Sequence, residues 1–246
     1  CRKRCAFCII PTIKGPLKSK SKEQVIREFG ILLNQGVHEI ILIAQDLGDY
    51  GKDQGFKKSD GLVDLIQEIL NTYKEKYWLR LLYLYPDEIT DNLIDLMQKD
   101  SRILPYIDMP IQHASNKVLK AMHRATSQEA VIETIEKLRK KIPDIVIRTS
   151  FIVGFPGETE EDFQILLKFV KDYTLDNVGI FTYSSEEGSH AAHLPDHLSD
   201  EIKQDRHTRL SLVQQQICEK RQRQLIGKTL DVVIEGYHPD SKLLMQ

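Results

Sequence analysis

Apolar residues recur along the chain in two alternating rhythms. From Ser21 to Gln35 they fall on one helical face, through Val25, Ile26, Phe29, Leu32 and Leu33, and Gly36 stops the pattern. Glu39 to Ala44 is then a short unbroken apolar run, the signature of a strand buried within a parallel sheet. The alternation repeats. A helix is predicted over Leu62–Leu70, a strand over Trp78–Leu84 ahead of Pro86, a helix over Thr90–Gln98 and a strand over Ile103–Met109. Helical patterns follow at Asn116–Met122 and Gln128–Lys140, then a strand at Asp144–Val153, closed by Gly154 and Pro156. Thr159 and Asp162 make a capping-box-like helix start before Phe163, Leu166, Leu167 and Val170, and Asn177–Tyr183 is the last strand of the series.

Five strands, with a helix clearly following each but the last, predict an α/β chain of βα repeats. No Gly-rich phosphate loop follows any strand, which weakens a nucleotide-binding doubly wound sheet. An open, partial (β/α) barrel of TIM-like type is therefore expected, with its chemistry at the C-terminal strand ends. Ser199 to Gln224 reads as a long polar helix rich in Gln and Arg. The texture changes at Gly227, and Lys228 to Tyr237 reads as a strand and turn. The expected organisation is a core over 1–224 with this trailing helix, and the beginning of a truncated small β domain over 225–246.

Composition narrows the class without naming a function. With 246 residues, 41% hydrophobic and 28% charged, the chain has ordinary globular composition and enough length to bury a core. Its formal net charge is −2, so no global field recruits nucleic acid. No apolar run reaches the roughly 18 residues that a membrane span needs. The chain opens on Cys1-Arg-Lys-Arg4 with no visible signal peptide, so it is expected to be a soluble protein or a soluble piece of one.

The four cysteines carry more. Cys1, Cys5 and Cys8 share one short loop, whereas Cys218 lies far away in the Gln-rich helix and is expected to be an inert, partly packed thiol. Disulfide frameworks spread their cysteines, so this bunching points to a reducing compartment, cytoplasmic by default, and to a shared inorganic ligand. Three thiolates can cap three corners of an iron–sulfur cube and leave one iron open to substrate. A zinc knuckle borrowing a fourth ligand is the alternative, although no second C-x2-C pair accompanies this one.

The spacing Cys1-x3-Cys5-x2-Cys8 followed by βα units resembles the radical S-adenosylmethionine (SAM) superfamily. Cys1 to Pro11, Gln112 to Ser115 and Phe151 to Phe163 resemble its methylthiotransferases more closely. Ala44-Gln-Asp46 with Tyr50-Gly51, Leu104 to Ser115 and Leu194 to Asp196 are similar to the branch that modifies a ribosomal protein. The transfer-RNA branch typically has Gly-Gln-Asn after the strand and Gln-Ser-Gly in place of Gln112-His-Ala114. The match runs from Cys1 to about Ile234.

The resemblance implies a radical SAM barrel with a 4Fe–4S cluster on Cys1, Cys5 and Cys8, whose open iron binds SAM. It also implies hydrogen abstraction by a 5′-deoxyadenosyl radical, and insertion of a methylthio group on the β-carbon of an aspartate in small-subunit ribosomal protein twelve. Partners implied are that ribosomal protein and an external, flavodoxin-like electron donor, with no membrane. The family further carries an amino-terminal domain with a second 4Fe–4S cluster and a carboxy-terminal TRAM β domain, through which nucleic-acid contact would come. Against that pattern the chain looks like a core fragment lacking the first barrel strand, and alone it is not expected to complete sulfur insertion. The competing classes are a transfer-RNA adenosine methylthiotransferase and a non-catalytic iron–sulfur electron-transfer module.

Rim positions supply the remaining candidates. Gln45 and Asp46 follow the first strand, where related enzymes contact the methionyl end of the cofactor, or they are simply a polar strand-to-loop transition. Arg148 and Ser150 lie in the fourth helix-flanked strand, and a buried Arg148 wants a carboxylate, either from the cofactor or from a structural salt bridge. Gly154 allows close backbone approach, as to an adenine ring. Gln112 and His113 lie at the rim, Gly157 to Thr159 is explained by the helix start, and no catalytic role is assigned to any of these residues. His190, His193 and His197 have metal-like spacing, but Pro195 interrupts any helix that would align them, so an exposed loop is expected. Arg2, Lys3, Arg4, Lys14, Lys18, Lys20, Lys22 and Arg27 make the first segment basic, which suits an acidic target, ribosomal RNA, the anionic cluster or plain solvation.

Overall fold

In the computed structural model, which describes residues 1–234 and 236–245, the apolar runs become strands of one sheet. These are β1 (Glu39–Leu42), β2 (Trp78–Leu81), β3 (Ile103–Asp108), β4 (Val146–Val153) and β5 (Asn177–Thr182). All pair in parallel and in the order of the chain. A doubly wound sheet reverses its strand order at a switch point; an unbroken sequential order is that of a barrel wall. The helices are α1 (Ile10–Lys14), α2 (Lys22–Asn34), α3 (Asp60–Thr72), α4 (Asp91–Lys99), α5 (Asn116–Ala121), α6 (Gln128–Lys141), α7 (Glu160–Tyr173) and α8 (Asp200–Leu225). Hydroxyl side chains start five of them: Ser21, Thr90, Ser127, Thr159 and Ser199 each accept a backbone N–H of the following turn.

Period-2 burial assigns the two faces of the sheet. Along β4, Ile147, Thr149, Phe151 and Val153 are buried, while Val146, Arg148, Ser150 and Ile152 are only half-buried. Residues paired across parallel strands share a face, so Ile40, Leu79, Leu81, Ile107 and Ile147 form a continuous layer beneath the helices, joined there by Leu62, Ile66, Leu93, Phe163 and Leu166. The opposite face is open. It leaves Ile41 46% and Phe181 56% exposed, and carries the Arg80–Glu39 pair with Arg80 stacked over Tyr106. The open, partial barrel is thus observed, and all five predicted strands are present to within a few residues of their expected bounds.

One expected strand is absent. Lys228 to Ile234 runs without ladder partners, residue 235 lies outside the described residues, and the hairpin that does form pairs Tyr237–His238 with Ser241–Met245. Among the described residues, no strand pairs with the β-favouring residues at 230–234. Leu230, Val232 and Ile234 stay 57%, 75% and 63% exposed. The sequence also gave no sign of α1, whose five residues follow the cysteine loop directly. No helix among the described residues is long and apolar enough to cross a membrane.

The capping box of α7 extends into a long-range anchor. Asp162 accepts hydrogen bonds from the Thr159 N–H at 3.0 Å, the Ser115 Oγ at 2.6 Å and the Lys117 ammonium at 2.9 Å. Burial opposes its charge, but these donors prevail and hold the carboxyl well below the usual carboxylate range. A depressed folded pKa contributes stability at neutral pH that is lost as pH falls below about 4. Asp162→Asn is therefore expected to cost on the order of 2 kcal/mol at pH 7, with the gap to the native chain narrowing toward pH 3. Urea unfolding across that range measures it, and a gap independent of pH contradicts the account.

Candidate active site at the mouth of the sheet

The cysteine loop is held to the C-terminal edge of the sheet by its own backbone. The Ala6 N–H donates to the Met122 carbonyl at 3.0 Å, and the Ala6 carbonyl accepts from the Ala191 N–H at 2.8 Å. Ala6 packs with Val118, Met122, Phe155, Tyr183 and Ala191 in a small second core above the main one. The Cys8 N–H bonds back to the Cys5 carbonyl at 3.1 Å, which tightens the turn between the two thiols. Farther forward, the Arg2 N–H donates to Asp49 at 2.7 Å, and Lys3 reaches Asp87 at 2.6 Å.

The three thiols therefore meet different surroundings. Cys5 is buried, while Cys1 and Cys8 are half-exposed. The Cys5 Sγ lies 3.3 Å from the Tyr85 hydroxyl and 3.6 Å from Nη1 of Arg124. The Cys1 Sγ and carboxylate oxygens of Asp46 and Asp49 lie within 4.8 Å of one another. Cys5 and Cys8 do not join that group. Three sulfur donors on one short loop are nonetheless a donor set whose chemistry suits an iron–sulfur cluster.

Behind the loop lies a buried, mixed-charge layer. Asp46 is 2% exposed; its Oδ1 caps the Gly48 N–H at 3.2 Å, and its Oδ2 has no partner. Burial, then the neighbouring Asp49 charge, push its carboxyl up to about 7. Lys52 joins Asp49 at 3.0 Å and also pairs with Glu88. Gln45, by contrast, is exposed at the rim. Adjacent in the sequence just after β1, Gln45 and Asp46 are separated by burial.

On the open face, Arg148 already has a carboxylate partner within the chain, Asp108, at 2.9 Å. Of the two readings left open for Arg148, the salt bridge is the one present. Ser150 beside it takes part in the anchoring of Gln112: its carbonyl accepts the Gln112 N–H at 2.8 Å, and the Gln112 carbonyl accepts from Ile152 at 2.8 Å. Gln112 is held at φ +79°, a conformation that costs a non-glycine residue energy and is kept only where surrounding bonds enforce it.

Gly154 does have the left-handed backbone that favours glycine, with φ +75°, but a side chain of this protein already approaches it. A Cβ there would lie 2.4 Å from Cγ of Lys203, on α8. Glu158 also does more than begin a helix. Its Oε2 accepts the Gly154 and Phe155 N–H groups at 2.7 and 3.1 Å, and its Oε1 accepts from Arg206 of α8 at 2.8 Å. Burial pushes this carboxyl up to about 7 against the pull of Arg206 and the two amides. His113, fully buried, accepts the Ser115 N–H on Nδ1, so its Nε2 carries the proton and faces Glu158 at 3.7 Å. Burial pushes this imidazole down to about 3.

Elsewhere, His190 stacks on His123 and His197 on Tyr183. Cys218 accepts from Gln214 at 3.2 Å and is half-buried, as expected. Of the basic residues near the amino terminus, Lys3, Lys20 and Lys22 are paired with acids. Tyr85, Arg124 and the Glu158–Arg206 clamp escaped sequence reading because their partners are dozens of residues distant; Arg124 and Cys5 are 119 apart.

A sequential parallel α/β sheet with a three-thiol loop at its mouth is the arrangement of radical SAM enzymes. The family model "Radical SAM superfamily" matches residues 1–170, and the chain belongs to that superfamily. It is similar to a protein of Protochlamydia amoebophila named "Ribosomal protein uS12 methylthiotransferase RimO", with 64% identity over all of this chain and 51% of the relative. It is also 56% identical to the protein of that name in Chlamydia caviae, again over the whole chain and 53% of the relative. The chain spans about half the length of these relatives. Among solved structures, the Escherichia coli coproporphyrinogen III oxidase HemN, described as a radical SAM enzyme, aligns with TM-score 0.59 at 17% identity, over 88% of this chain and 50% of that one. That likeness shows the shared fold.

The clamp makes a direct prediction. Arg206 is 5% exposed, and removing it strands a buried carboxylate, which typically costs about 3–5 kcal/mol. Arg206→Met is expected to lower the unfolding free energy by such an amount, read as a lower urea midpoint at unchanged denaturant slope; a midpoint equal to that of the native chain refutes the clamp.

Proposed function

We propose that the chain is the cluster- and SAM-binding core of an enzyme that places a methylthio group on the β-carbon of an aspartate in ribosomal protein uS12. The 64% identity to the RimO relative along the entire chain carries this reading. In it, Cys1, Cys5 and Cys8 hold a 4Fe–4S cluster. Gln45, Asp46, Arg148, Ser150 and Gly154 line the region around SAM. Reduced cluster and bound SAM together supply a 5′-deoxyadenosyl radical able to take hydrogen from an unactivated carbon.

The chain's own residues then have definable tasks. Backbone bonds that Ala6 donates to the Met122 carbonyl and accepts from the Ala191 N–H fix the thiol loop against the strand ends. Asp46, neutral or charged near neutral pH and with a free buried oxygen, offers an acceptor for an ammonium group. Arg148 offers a cation on the open face, where Asp108 holds it until an anionic group arrives. The turn at Gly154 keeps its shape through Glu158, and Lys203 must shift its stem before a flat ring stacks there. A flavodoxin-like donor supplies the electron. Residues 225–246 are read as the beginning of a small TRAM-like β domain, and a second cluster belongs to an amino-terminal domain of the whole protein. A reducing, cytoplasmic setting is part of this reading, supported by the bunched thiols of Cys1, Cys5 and Cys8.

Two experiments test this. Anaerobic reconstitution is expected to give about four irons per chain in the native protein, and Cys5→Ala is expected to lose that cluster; a full complement in Cys5→Ala sinks the ligand assignment. Deleting the gene is expected to remove the methylthio mass from ribosomal protein uS12 while leaving transfer-RNA nucleosides unchanged. The reverse pattern moves the function to transfer RNA, and release of no 5′-deoxyadenosine by the reduced protein moves it to electron transfer.

A further inference from the structure

Arg124 is a buried cation without a carboxylate. It is 9% exposed, and among the described residues none of the ion pairs includes it. Its Nη2 donates to the Pro110 carbonyl, its Cζ lies 4.0 Å from the Tyr85 ring centroid, and its Nη1 points to the Cys5 Sγ at 3.6 Å. An arginine does not shed its proton, and an uncompensated buried charge costs several kcal/mol. The arrangement makes sense if the sulfur it faces is anionic. Tyr85 reaches the same sulfur at 3.3 Å. A thiolate has no proton to give, so in that state both the phenol and the guanidinium donate to it.

We propose that Arg124 and Tyr85 set the reduction potential of the iron–sulfur cluster through the Cys5 sulfur. The inference rests on the reading that Cys5 is a cluster ligand. Reduction adds one electron, drawn from an external one-electron donor, and so adds one negative charge to the cluster and its thiolates. Donors and a cation at a ligand sulfur stabilise that extra charge and raise the potential. Cys5 is where the protein can exert this control. Cys1 and Cys8 are half-exposed and can take hydrogen bonds from water, whereas buried Cys5 depends on the donors the fold provides. The stack fixes the geometry further: Tyr85 supports the guanidinium plane, and the Pro110 carbonyl anchors its far end.

The test is a potentiometric titration of the reconstituted full chain, with dithionite as reductant and the reduced cluster read by electron paramagnetic resonance. Tyr85→Phe keeps the ring and removes one donor; Arg124→Gln removes the charge and its bond to sulfur. At a fixed poise, the ratio of reduced to oxidised cluster is expected to fall about threefold in Tyr85→Phe and about tenfold in Arg124→Gln, the latter a shift of about 59 mV for one electron. Both shifts go toward more negative potential. Native midpoints in both variants, each with four irons, overturn the proposal while leaving the cluster assignment intact. If Arg124→Gln does not fold, Tyr85→Phe decides alone. A Tyr85→Phe chain with native circular dichroism and no cluster assigns the contact to assembly and also overturns it. Failure of the native chain to take up four irons removes the ligand reading and this inference together.

Discussion

All five strands of the sheet run parallel, so every strand ends at the same edge. That geometric constraint decides where polar chemistry can collect. Strand interiors are buried beneath helices on one face, and the loops leaving the C-terminal ends all emerge at that edge. Asp46 after β1, Tyr85 after β2, Gln112 after β3 and Gly154 after β4 reach the mouth from well-separated parts of the chain. The cysteine loop adds a fifth contribution, pinned there by Ala6 to Met122 and Ala191. Without the common edge, neither Tyr85 nor Asp46 comes near a thiol.

Charge burial at that edge is the cost of the arrangement, and the fold offsets it unevenly. Lys52 reconciles Asp49 with Glu88, and Arg206 reconciles Glu158 with the amides of Gly154 and Phe155. Asp46 and Arg124 are left without such partners among the described residues. Desolvated groups with unmet electrostatic demand are what a polar ligand satisfies, and clusters of them at strand ends mark functional ground better than any single residue type. Arg148 marks the contrast: its charge is already met by Asp108, so a ligand anion there competes with an existing pair instead of filling a vacancy.

The βα repeat was legible because its cause is local. An apolar run bounded by turn residues reads as a strand wherever it falls, and hydroxyl caps such as Ser21 and Thr159 announce their helices within three residues. The cysteine loop was legible for the same reason, with three ligands within eight residues. Lys228 to Tyr237 shows where that logic stops. Alternating Leu230, Val232 and Ile234 satisfy every local criterion for a strand, yet a strand exists only when another offers its ladder, and here none does among the described residues. The contacts of Arg124, of Glu158 with Arg206, and of Gly154 with Lys203 were illegible because side chains 119, 48 and 49 residues apart meet only in three dimensions, the last figure being the difference between 203 and 154.

The outer helix α8 shows how the fold joins scaffold to site. Its apolar stripe is thin; Leu210 is buried and Val213 and Ile217 pack against the core, but most of its length is polar. It docks instead through directional bonds. Gln214 donates to the Leu175 carbonyl at 3.1 Å, Arg221 to the Thr174 carbonyl at 2.7 Å, and Arg206 to Glu158. Apolar packing tolerates sliding by fractions of a turn, whereas hydrogen bonds fix rotation and translation together. The first part of α8 covers Gly154 with Lys203 and braces Glu158 from behind, and its later part holds the entry to β5. A displacement of α8 along its axis therefore changes the shape of the rim turn after β4 and the position of β5 at once. The turn is thus tied by Glu158 and Arg206 and covered by Lys203, so the same helix sets both its shape and its access.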